Sequence, residues 1–329
     1  MSALAEARAR AALADAGLNS DVTLVPLRSV TNEVWVAGEH IVRMNRRQDH
    51  RLEREALLAP FLPRELGYPP VVHYGGEMGA DHLIVQRVPG RVLSQCWPQM
   101  SVADRQEAVK QLAAMLRALH SFHCPVELPV IDSPPLLSAT PEGSPLGPLM
   151  AALDEAQHLA HVDPGVMIET RNLVISTAPA LEPFSATTMV HGDLHFDNVL
   201  WDGRRITALL DFKWARPCPA DLELDVFLRY CAFPFLHVAE HYRNQARTAD
   251  YVDVPFVMAD YYPELFSMPR QFDRMRLFSI AYDVRELLLF PPPVSAEQLS
   301  DHHPYNRLRR TLGGQSYLDL LAQGASVPA

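Results

Sequence analysis

The sequence predicts an α+β fold with two lobes, a small N-terminal lobe built on an antiparallel sheet and a larger, mainly helical C-terminal lobe. Three observations support this prediction. A chain of 329 residues suggests about two domains. Short strand patterns fill most of the first ninety residues, whereas helical patterns dominate from residue 101. A segment near 87–100 separates the two compositions, so we place the lobes at 1–90 and 91–329.

The composition limits the classes of function. With 48% hydrophobic and 21% charged residues, the chain is typical of a folded globular protein. Its net charge of -10 argues against a protein that mainly binds nucleic acid or an anionic membrane. The four cysteines fit no zinc or disulfide framework, and there is neither a signal-peptide pattern nor an apolar run long enough for a membrane span. We therefore expect a cytoplasmic protein without a nucleic-acid or membrane partner, and its oligomeric state stays open.

Alternating apolar residues and turn residues define the elements of the N-terminal lobe. Val34 and Val36 alternate with Trp35 before a turn at 37–39, as in a β-hairpin. Leucines and a phenylalanine between residues 51 and 62 recur at helical spacing. The predicted order is helix, strand, hairpin, helix, strand and strand, over residues 1–17, 22–27, 32–45, 51–62, 69–76 and 81–90.

The C-terminal lobe is predicted from one strong helix, a hairpin and a helical remainder. Residues 101–121 have an apolar stripe without Gly or Pro, and Ser101 is a suitable N-cap. A loop rich in Pro, Ser and Gly follows at about 125–147, and further helix comes after it. Short strands are predicted within 188–211, and from about residue 221 the pattern is mostly helical.

The most informative segment is His-Gly-Asp-Leu-His-Phe-Asp-Asn at residues 191–198. Asp193 is followed five residues later by Asn198, in a loop that leads into the predicted hairpin. Asp211 ends that hairpin and returns a second carboxylate to the same point. Hard oxygen ligands of this kind suit magnesium held together with substrate phosphates. Phosphoryl transfer needs such a metal clamp, a cation on the nucleotide phosphates and a carboxylate near the attacking hydroxyl.

This segment resembles the catalytic loop of aminoglycoside phosphotransferase and choline kinase-like enzymes, which are relatives of protein kinases. Their pattern is H-G-D-x-x-x-x-N, then a hydrophobic pair and Asp. The resemblance covers nearly the whole chain and implies a bilobal protein-kinase-like fold. It also implies a kinase that moves the γ-phosphoryl group of ATP, or of GTP, to a small-molecule hydroxyl. By this resemblance Asp193 orients the acceptor hydroxyl and receives its proton, and Asn198 and Asp211 hold Mg²⁺.

The same resemblance assigns the phosphate-binding cation. The segment His-Ile-Val-Arg-Met-Asn at 40–45 is similar to the small-lobe strand that holds this cation, which here is Arg43. The chain has two lysines, Lys110 and Lys213, and neither belongs to the N-terminal lobe. An arginine must therefore serve if any cation does.

Further nucleotide-binding residues follow from the resemblance. The segment Glu-Arg-Glu-Ala-Leu-Leu is similar to the next helix, so Glu55 is the candidate partner of Arg43, with Glu53 as the alternative. The segment Leu-Ile-Val-Gln-Arg-Val-Pro-Gly-Arg resembles the hinge between the lobes, which reads adenine through backbone groups. The remaining assignments are Gln86 to Val88 for this hinge, and Ser29, Thr31 and Asn32 for the loop over the phosphates.

The sequence also departs from the patterns of its relatives. The N-terminal lobe has no G-x-G-x-x-G, and Lys213 stands where many relatives carry Glu. Gly192 replaces the Arg that is usual in protein kinases, and the short distance from Asp211 to the next predicted helix leaves no room for a long activation segment. We therefore expect the helices from about residue 221 to bind a small molecule instead of a peptide. Asp225 is a candidate for bracing the catalytic loop.

The sequence leaves alternatives open for the acceptor and for the class of protein. The family makes an aminoglycoside or another hydroxylated antibiotic the leading acceptor, which would make the protein one of antibiotic resistance. A choline-like amine, a sugar or a nucleoside is the alternative acceptor. A zinc-dependent hydrolase is a rival class, because His237 and His241 match the pattern H-x-x-E-H. A kinase-like protein that only binds is a third class, but such proteins usually lose one of the three polar site residues that this chain retains.

Overall fold

A five-stranded antiparallel sheet forms the N-terminal part of the computed structural model, which describes residues 3–27, 29, 32–131, 135–138 and 144–322. Its strands are β1 (Leu24–Leu27), β2 (Glu33–Ala37), β3 (His40–Met44), β4 (Val71–Gly75) and β5 (His82–Gln86). Their order across the sheet is β1-β2-β3-β5-β4. β2 and β3 form the predicted hairpin, and its turn requires a positive φ of 61° that Gly38 adopts without strain.

Two helices cover the opposite faces of this sheet. They are α1 (Ala3–Asp15) and α2 (Arg51–Leu58). α1 packs over a cluster that contains Trp35, Val42 and Ile84, whereas α2 packs over Leu83 and Val85. Since successive side chains of a strand point to opposite faces, the residues of β5 contact α1 and α2 in alternation. The sheet therefore separates two environments, one under each helix.

The rest of the chain is mainly helical. Its α-helices are α3 (Leu93–Cys96), α4 (Val102–His120), α5 (Gly147–Ala156), α6 (Pro164–Thr177), α7 (Asp221–Ala232), α8 (Pro234–His237), α9 (Val254–Tyr261), α10 (Gln271–Leu289), α11 (Pro304–Leu312) and α12 (Tyr317–Ala322). Ser101 caps α4 as predicted, because its side chain accepts the backbone N–H of Asp104. Every residue of α7 is buried, so this helix forms the centre of the C-terminal core. Within the described residues, no helix is long and apolar enough to cross a bilayer.

Short strands position the predicted site at the edge of the helical part. They are β6 (Arg91–Val92), β7 (Thr188–Val190), β8 (Val199–Trp201), β9 (Ile206–Leu209) and β10 (Arg216–Cys218). β8 pairs with β9 and with β6, and β7 pairs with β10. The loop at 191–198 therefore leaves β7 and enters β8, and Asp211 follows β9. The pairing of β8 with β9 brings the end of this loop close to the residues before Asp211.

Most predicted elements are found, with a few corrections. The helix predicted over 51–62 ends at Leu58, because Pro60 lies in a 3-10 turn, Ala59–Phe61, that follows it. β6 and β10 were not predicted, since two or three residues carry too little periodicity. The described residues between 125 and 146 contain neither helix nor strand, as expected for the predicted loop.

Candidate active site

A buried carboxylate from α7 holds the loop at 191–198. Glu223 is fully buried, and its two carboxylate oxygens accept the backbone N–H groups of His191 at 2.5 Å and Gly192 at 3.3 Å. Gly192 has a φ of 75°, and a Cβ at this position would lie 2.6 Å from the carbonyl oxygen of Trp214. Only glycine fits such a close approach in a left-handed conformation. This contact fixes the backbone immediately before Asp193.

The imidazole of His191 has a structural part in this loop. Its Nε2 donates to the carbonyl oxygen of Leu210 at 2.8 Å, and its Nδ1 accepts the N–H of Asp193 at 3.3 Å. The ring also packs against Phe212, with 4.7 Å between the ring centroids. His191 thus joins the start of the loop to the end of β9, and both of its ring nitrogens are occupied by these backbone contacts.

Asp193 lies among cationic groups. Its carboxylate oxygens are 3.6 Å from His195 Nε2 and 4.0 Å from Lys213 Nζ. Burial by itself would raise the pKa of Asp193, but His195 and then Lys213 outweigh that effect and hold the pKa well below its ordinary value. In turn, burial would lower the pKa of His195, and Asp193 raises it above its ordinary value. Asp193 is therefore a carboxylate, ready to accept a hydrogen bond.

Asn198 ties the loop to the hairpin that follows it. Its side-chain Nδ2 donates to the carbonyl oxygen of Asp193 at 2.9 Å, and its backbone oxygen accepts the N–H of Leu210 at 2.8 Å. Within the described residues, Asn198 Oδ1 makes no hydrogen bond. Asp211 comes next after Leu210 and has a left-handed backbone with a φ of 66°. The amide oxygen of Asn198 is thus left for a ligand, and Asp211 directly follows the residue that the Asn198 backbone contacts.

A chain of ion pairs joins the N-terminal sheet to Asp211. Arg43 of β3 donates to Glu55 at 2.7 Å and to Asp211 at 3.1 Å. Glu55 is fully buried, and its other oxygen accepts the hydroxyl of Tyr68 at 2.9 Å and the N–H of Phe212 at 3.3 Å. Glu53, the alternative partner, instead contacts His50. The carboxylate that contacts Arg43 is therefore that of Glu55.

α2 makes a second connection to the segment after Asp211. Arg54 is buried, and its guanidinium donates to the carbonyl oxygens of Lys213 at 3.0 Å and Ala215 at 2.6 Å. It also donates to the carbonyl oxygen of Pro129. Burial, followed by repulsion from Arg216, lowers the pKa of Arg54 to about 10, so it remains a cation at neutral pH. The position of α2 is thus coupled to the backbone that carries Asp211.

A cavity of about 170 Å³ opens beside Asp193. Its walls include residues of the loop at 191–198, of the segment after Asp211, and of α7 and α10. Aromatic and charged side chains both line it. They include Asp193, Trp214, Arg216, Asp225, Arg229, Tyr282, Arg285 and Glu286.

Comparison with known proteins identifies the family. The family profile described as "Phosphotransferase enzyme family" matches residues 23–252. The chain belongs to this family. The predicted family and enzyme class, a small-molecule phosphotransferase, are thereby confirmed.

One curated relative of this phosphotransferase is an aminoglycoside 3'-phosphotransferase from Streptomyces ribosidificus. The two sequences are 30% identical over 179 residues, which are 53% of this chain and 64% of the relative. The match therefore spans less than two thirds of the length of that protein.

Solved structures confirm the predicted bilobal, protein-kinase-like fold of this phosphotransferase. The ADP-bound aminoglycoside phosphotransferase APH(2'')-Ib superimposes with a TM-score of 0.60 at 15% identity, over 96% of this chain and 99% of the other. A choline/ethanolamine kinase family protein from Mesorhizobium loti superimposes with a TM-score of 0.61 at 16% identity, over 96% of this chain and 97% of the other. At such identities the similarity concerns the fold alone.

The predicted site residues of the phosphotransferase fall into two groups. One group is joined by the contacts described above, and its members are Arg43, Glu55, Asp193, Asn198 and Asp211. The other group lies in the loop before β2 and in the hinge. There the N–H of Asn32 approaches Ser29 Oγ at 3.5 Å, and Asn32 is buried. Thr31 lies outside the described residues.

The hinge residues differ in the backbone groups that they leave for a ligand. The N–H of Gln86 donates to Pro70 at 2.9 Å, and the N–H of Arg87 donates to Glu39 at 2.8 Å. Among the described residues, the N–H of Val88 makes no hydrogen bond. None of these hinge residues has a hydrogen bond or ion pair, within the described part of the chain, to the group around Asp211.

The rival zinc interpretation is wrong for this phosphotransferase. It requires His237 and His241 on one helical turn, but α8 ends at His237 and the backbone of Val238 is extended. A separate 3-10 helix, Glu240–Gln245, then carries His241. In the described part of the chain, neither histidine belongs to a group of three metal-ligating side chains.

The bracing role expected of Asp225 is also wrong. Asp225 accepts hydrogen bonds from Tyr317 at 3.0 Å and from Arg229 at 3.3 Å. Glu223, two residues earlier on the same helix, contacts the loop at 191–198 instead. Residues two positions apart on a helix are separated by about 200° around its axis, so the carboxylates of Glu223 and Asp225 point to different partners.

Lys213 and several other residues around the site were missed by sequence reasoning. The ammonium of Lys213 lies 2.5 Å from a carboxylate oxygen of Asp211. Burial would raise the pKa of Asp211, but Lys213 and Arg43 together lower it. A signal for Lys213 existed, since it is one of two lysines and follows Asp211 by two residues. Tyr68, Arg54 and Glu223 had no such signal, because their partners are distant in sequence.

Proposed function

We propose that this phosphotransferase moves the γ-phosphoryl group of ATP, or alternatively of GTP, to a hydroxyl group of an aminoglycoside or another hydroxylated antibiotic. The observation that carries the proposal is the position of Asp193. Its carboxylate lines the cavity beside α7 and α10 and lies 4.0 Å from the Lys213 ammonium that contacts Asp211. A candidate proton acceptor, Asp193, therefore lies beside the candidate phosphate- and metal-binding groups, Lys213 and Asp211, at a cavity that a small molecule can enter.

The N-terminal lobe would bind the nucleotide. Arg43 is held between Glu55 and Asp211, so its guanidinium is oriented before a phosphate arrives. The free N–H of Val88, and the backbone of Gln86 beside it, would meet the adenine. Ser29 and Asn32 belong to the loop that would cover the phosphates. These contacts orient the nucleotide without taking part in proton transfer.

The residues around Asp211 fit a magnesium ion. A carboxylate oxygen of Asp211 and the amide oxygen of Asn198 are the hard donors that Mg²⁺ prefers. Two cations, Arg43 and Lys213, already contact the carboxylate of Asp211, which marks it as a centre of negative charge. When bound, Mg²⁺ would neutralise charge on the phosphates during transfer. Lys213 would then share the carboxylate of Asp211 with the metal.

Asp193 would act on the acceptor. Its low pKa keeps it ionised, so it accepts a hydrogen bond from the acceptor hydroxyl and aligns the oxygen for in-line attack. The hydroxyl proton passes to Asp193 as the new phosphate bond forms, since the proton becomes acidic only then. Glu223 and His191 hold the loop in place, which keeps this alignment without motion of the backbone.

The charges of the cavity bear on the acceptor. Its described walls contain three acidic residues and three arginines, which are Asp193, Asp225, Glu286, Arg216, Arg229 and Arg285. A site for a strongly polycationic acceptor would carry an excess of carboxylates. The balance favours a hydroxylated antibiotic with few ammonium groups, and aromatic walls at Trp214 and Tyr282 suit its rings or cations. A choline-like amine, a sugar or a nucleoside remains the alternative acceptor.

An acceptor screen tests this proposal. The purified protein is given ATP or GTP with Mg²⁺ and a panel of aminoglycosides, macrolides, nucleoside antibiotics, sugars and choline-type alcohols, and nucleoside diphosphate release is measured. Phosphorylation is then confirmed by an 80 Da mass increase of the acceptor. We expect at least one antibiotic to stimulate release, and Asp193→Asn to abolish that stimulation. Stimulation confined to choline-type alcohols or sugars would replace the antibiotic by the alternative acceptor, and phosphorylation equally fast in Asp193→Asn would overturn the proposed mechanism.

A further inference from the structure

Three metal-ligating side chains meet on the N-terminal lobe, away from the candidate active site. Asp15 is the last residue of α1, His73 lies in β4 and His82 begins β5. Asp15 Oδ2 is 3.1 Å from His73 Nε2 and 3.4 Å from His82 Nε2. In the described part of the chain, these three form a group whose ligand atoms all lie within 4.8 Å of one another.

The register of the sheet explains why the two imidazoles are neighbours. His82 pairs directly with Gly75, and His73 is two residues from Gly75 on the same strand. Both histidines therefore lie on one face of the sheet, and their rings stack with 5.3 Å between the centroids. The glycine makes room for the group, because a Cβ at Gly75 would lie 2.6 Å from His73 Nε2 and 2.8 Å from Asp15 Oδ2.

His82 gives an independent indication of a missing partner. The residue is 5% exposed, and its Nε2 is buried without a hydrogen bond even though it is aimed at Asp15. A buried polar nitrogen usually has a partner, and leaving it unpaired costs stability. The carboxylate of Asp15 is 57% exposed, so a ligand from solvent can reach the group.

His73 Nε2 lies within hydrogen-bond distance of Asp15 Oδ2, and the spacing of the three ligand atoms also fits a metal ion. Around a tetrahedral zinc ion with bonds of about 2.0–2.1 Å, neighbouring ligand atoms are separated by about 3.3–3.4 Å. The two distances to Asp15 Oδ2, 3.1 and 3.4 Å, already have this size. We propose that Asp15, His73 and His82 form a zinc-binding site with its remaining coordination position open to solvent. Two imidazoles and one carboxylate favour zinc over Mg²⁺, which prefers oxygen ligands alone.

Zinc at this position would fasten the end of α1 to the sheet. α1 otherwise packs through small alanines over the cluster that contains Trp35 and Ile84. His82 precedes Leu83 of β5, which pairs with Arg43, so His82 and Arg43 lie on opposite faces of the sheet. The zinc site is therefore separate from the phosphate-binding groups. Zinc binding should change the stability of the lobe more than it changes catalysis.

Zinc binding to the full chain tests the proposal. Calorimetric titration with Zn²⁺, in the presence of excess Mg²⁺, should show one site per chain, and Tm should rise by about 5 °C at roughly 100 times Kd. His73→Ala and Asp15→Asn should each weaken binding by at least about tenfold, since loss of even an outer partner of a zinc ligand has effects of that size. His82→Ala should do the same if it folds, and the other two variants, which alter an exposed and a half-buried group, keep the test valid. Co²⁺ bound in place of Zn²⁺ should give a visible absorption band that these variants lose.

Two controls separate this site from others. His158→Ala removes an exposed histidine of the C-terminal part and should leave zinc binding unchanged. Asp211→Ala removes the carboxylate of the candidate active site and should also leave it unchanged. The proposal is overturned if no zinc binds or if His73→Ala and Asp15→Asn bind zinc as the parent does. It is equally overturned if Asp211→Ala abolishes the binding, because the zinc would then occupy the candidate active site.

Discussion

The ammonium group of Lys213 lies 2.5 Å from a carboxylate oxygen of Asp211. The other oxygen of the same carboxylate is 3.1 Å from the guanidinium of Arg43. Asp211 is thus contacted by one cation from each lobe. Any metal that binds Asp211 must share it with these cations, so Lys213 is a competitor for the metal as well as a neighbour of Asp193.

Replacing Lys213 should therefore strengthen the response to magnesium. Lys213→Met keeps most of the side-chain volume and removes the charge. The Mg²⁺ concentration for half-maximal rate should fall by about three- to tenfold, because the carboxylate of Asp211 then has one cation fewer. The measurement is initial rate against free Mg²⁺ at saturating nucleotide.

The second lysine offers a matched control for this variant. Lys110 is exposed on α4 and contacts Glu107, so Lys110→Met should leave the magnesium dependence as in the parent. If Lys213→Met also leaves it unchanged, Lys213 does not compete with the metal. A lower rate at unchanged magnesium dependence would instead assign Lys213 to the transferring phosphate.

Arg43 should be needed for both nucleotide use and stability. Arg43→Ala is expected to lower kcat/KM for the nucleotide by about 10²-fold or more, because such a clamp positions the transferring group. It also leaves the buried carboxylate of Glu55 without its cation, which should cost at least about 2 kcal/mol of unfolding free energy. Tyr68 and the N–H of Phe212 still contact Glu55 and limit that loss. Steady-state kinetics and urea unfolding measure the two effects.

Arg43→Lys separates the two roles of this arginine. A lysine keeps a positive charge beside Glu55 and should recover most of the stability. It lacks the planar fork that contacts two groups at once, so activity should recover only in part. Arg46→Ala, a half-exposed arginine that contacts Glu33, is the control and should change neither quantity. Nucleotide kinetics of Arg43→Ala that equal those of the parent would remove Arg43 from the phosphate site.

The sequence predicts the residues of the loop at 191–198 better than the residues that hold this loop and the segment after Asp211 in place. Asp193, Asn198 and Asp211 belong to one local pattern, so their meeting follows from a hairpin of the right length. Arg43 and Glu55 come from neighbouring elements of the small lobe, and the order of the motifs was enough to pair them. The supports, Tyr68, Arg54 and Glu223, act over long sequence separations, and no local period encodes which backbone group they will contact.

The failed predictions have a local cause. The pattern at His237 and His241 predicts one helix, but α8 ends at His237 after one turn and the backbone of Val238 is extended. Asp225 is the predicted brace because the resemblance implies an acidic residue at this position, whereas Glu223 makes the contact. Two positions that are two residues apart on a helix face different sides of it. Composition alone does not show which of two nearby acidic residues faces the loop.

The two acidic residues of α7 should therefore have different effects when changed. In the parent, each carboxylate oxygen of Glu223 accepts one backbone N–H group. Glu223→Gln keeps only one oxygen, so one of the two N–H groups would face the amide NH₂ and lose its acceptor. We expect a loss of about 1–3 kcal/mol of unfolding free energy and a fall of roughly ten- to hundredfold in kcat, because the catalytic loop is displaced. Asp225→Asn lies in the cavity wall and should change the acceptor KM more than kcat. Equal effects of both variants on kcat would show that Glu223 has no special part in holding the loop.

The ion pair between Asp193 and His195 should have a limited pH window. The pKa of Asp193 is lowered, so its contribution to stability is complete above its ordinary pKa of 3.8 and is lost as the pH falls below that value. The pKa of His195 is raised, so its contribution is complete below its ordinary pKa of 6.5 and is lost as the pH rises through the higher folded value. The stability difference between the parent and Asp193→Asn should thus be largest between about pH 4 and 6.5. Urea unfolding from pH 3.5 to 9 measures it, and a difference that stays constant over this range would contradict the ion pair.

Asp193→Asn should reduce the rate of transfer without reducing nucleotide binding. The carboxylate lines the cavity that we propose for the acceptor, whereas the guanidinium of Arg43, the proposed phosphate-binding group, contacts Asp211 and Glu55. Asparagine preserves the shape of the side chain and can still accept one hydrogen bond from the acceptor. It cannot take the proton, so kcat should fall by about 10²–10⁴-fold, the usual range for a positioned general base. Calorimetric binding of ATP should stay close to that of the parent, since the charge that is lost does not contact the nucleotide-binding residues.

Combining Asp193→Asn with Lys213→Met shows whether the lower kcat of Asp193→Asn arises from lost proton transfer or from altered charges around Asp211. Removing Asp193 also removes a partner 4.0 Å from Lys213, which frees that ammonium to bind Asp211 more tightly. If this were the cause of the lower rate, raising Mg²⁺ or adding Lys213→Met would restore it. If Asp193 is the proton acceptor, neither change restores kcat, because both leave the acceptor hydroxyl without a base. An Asp193→Asn enzyme that phosphorylates its acceptor at the parental rate would sink the catalytic assignment directly.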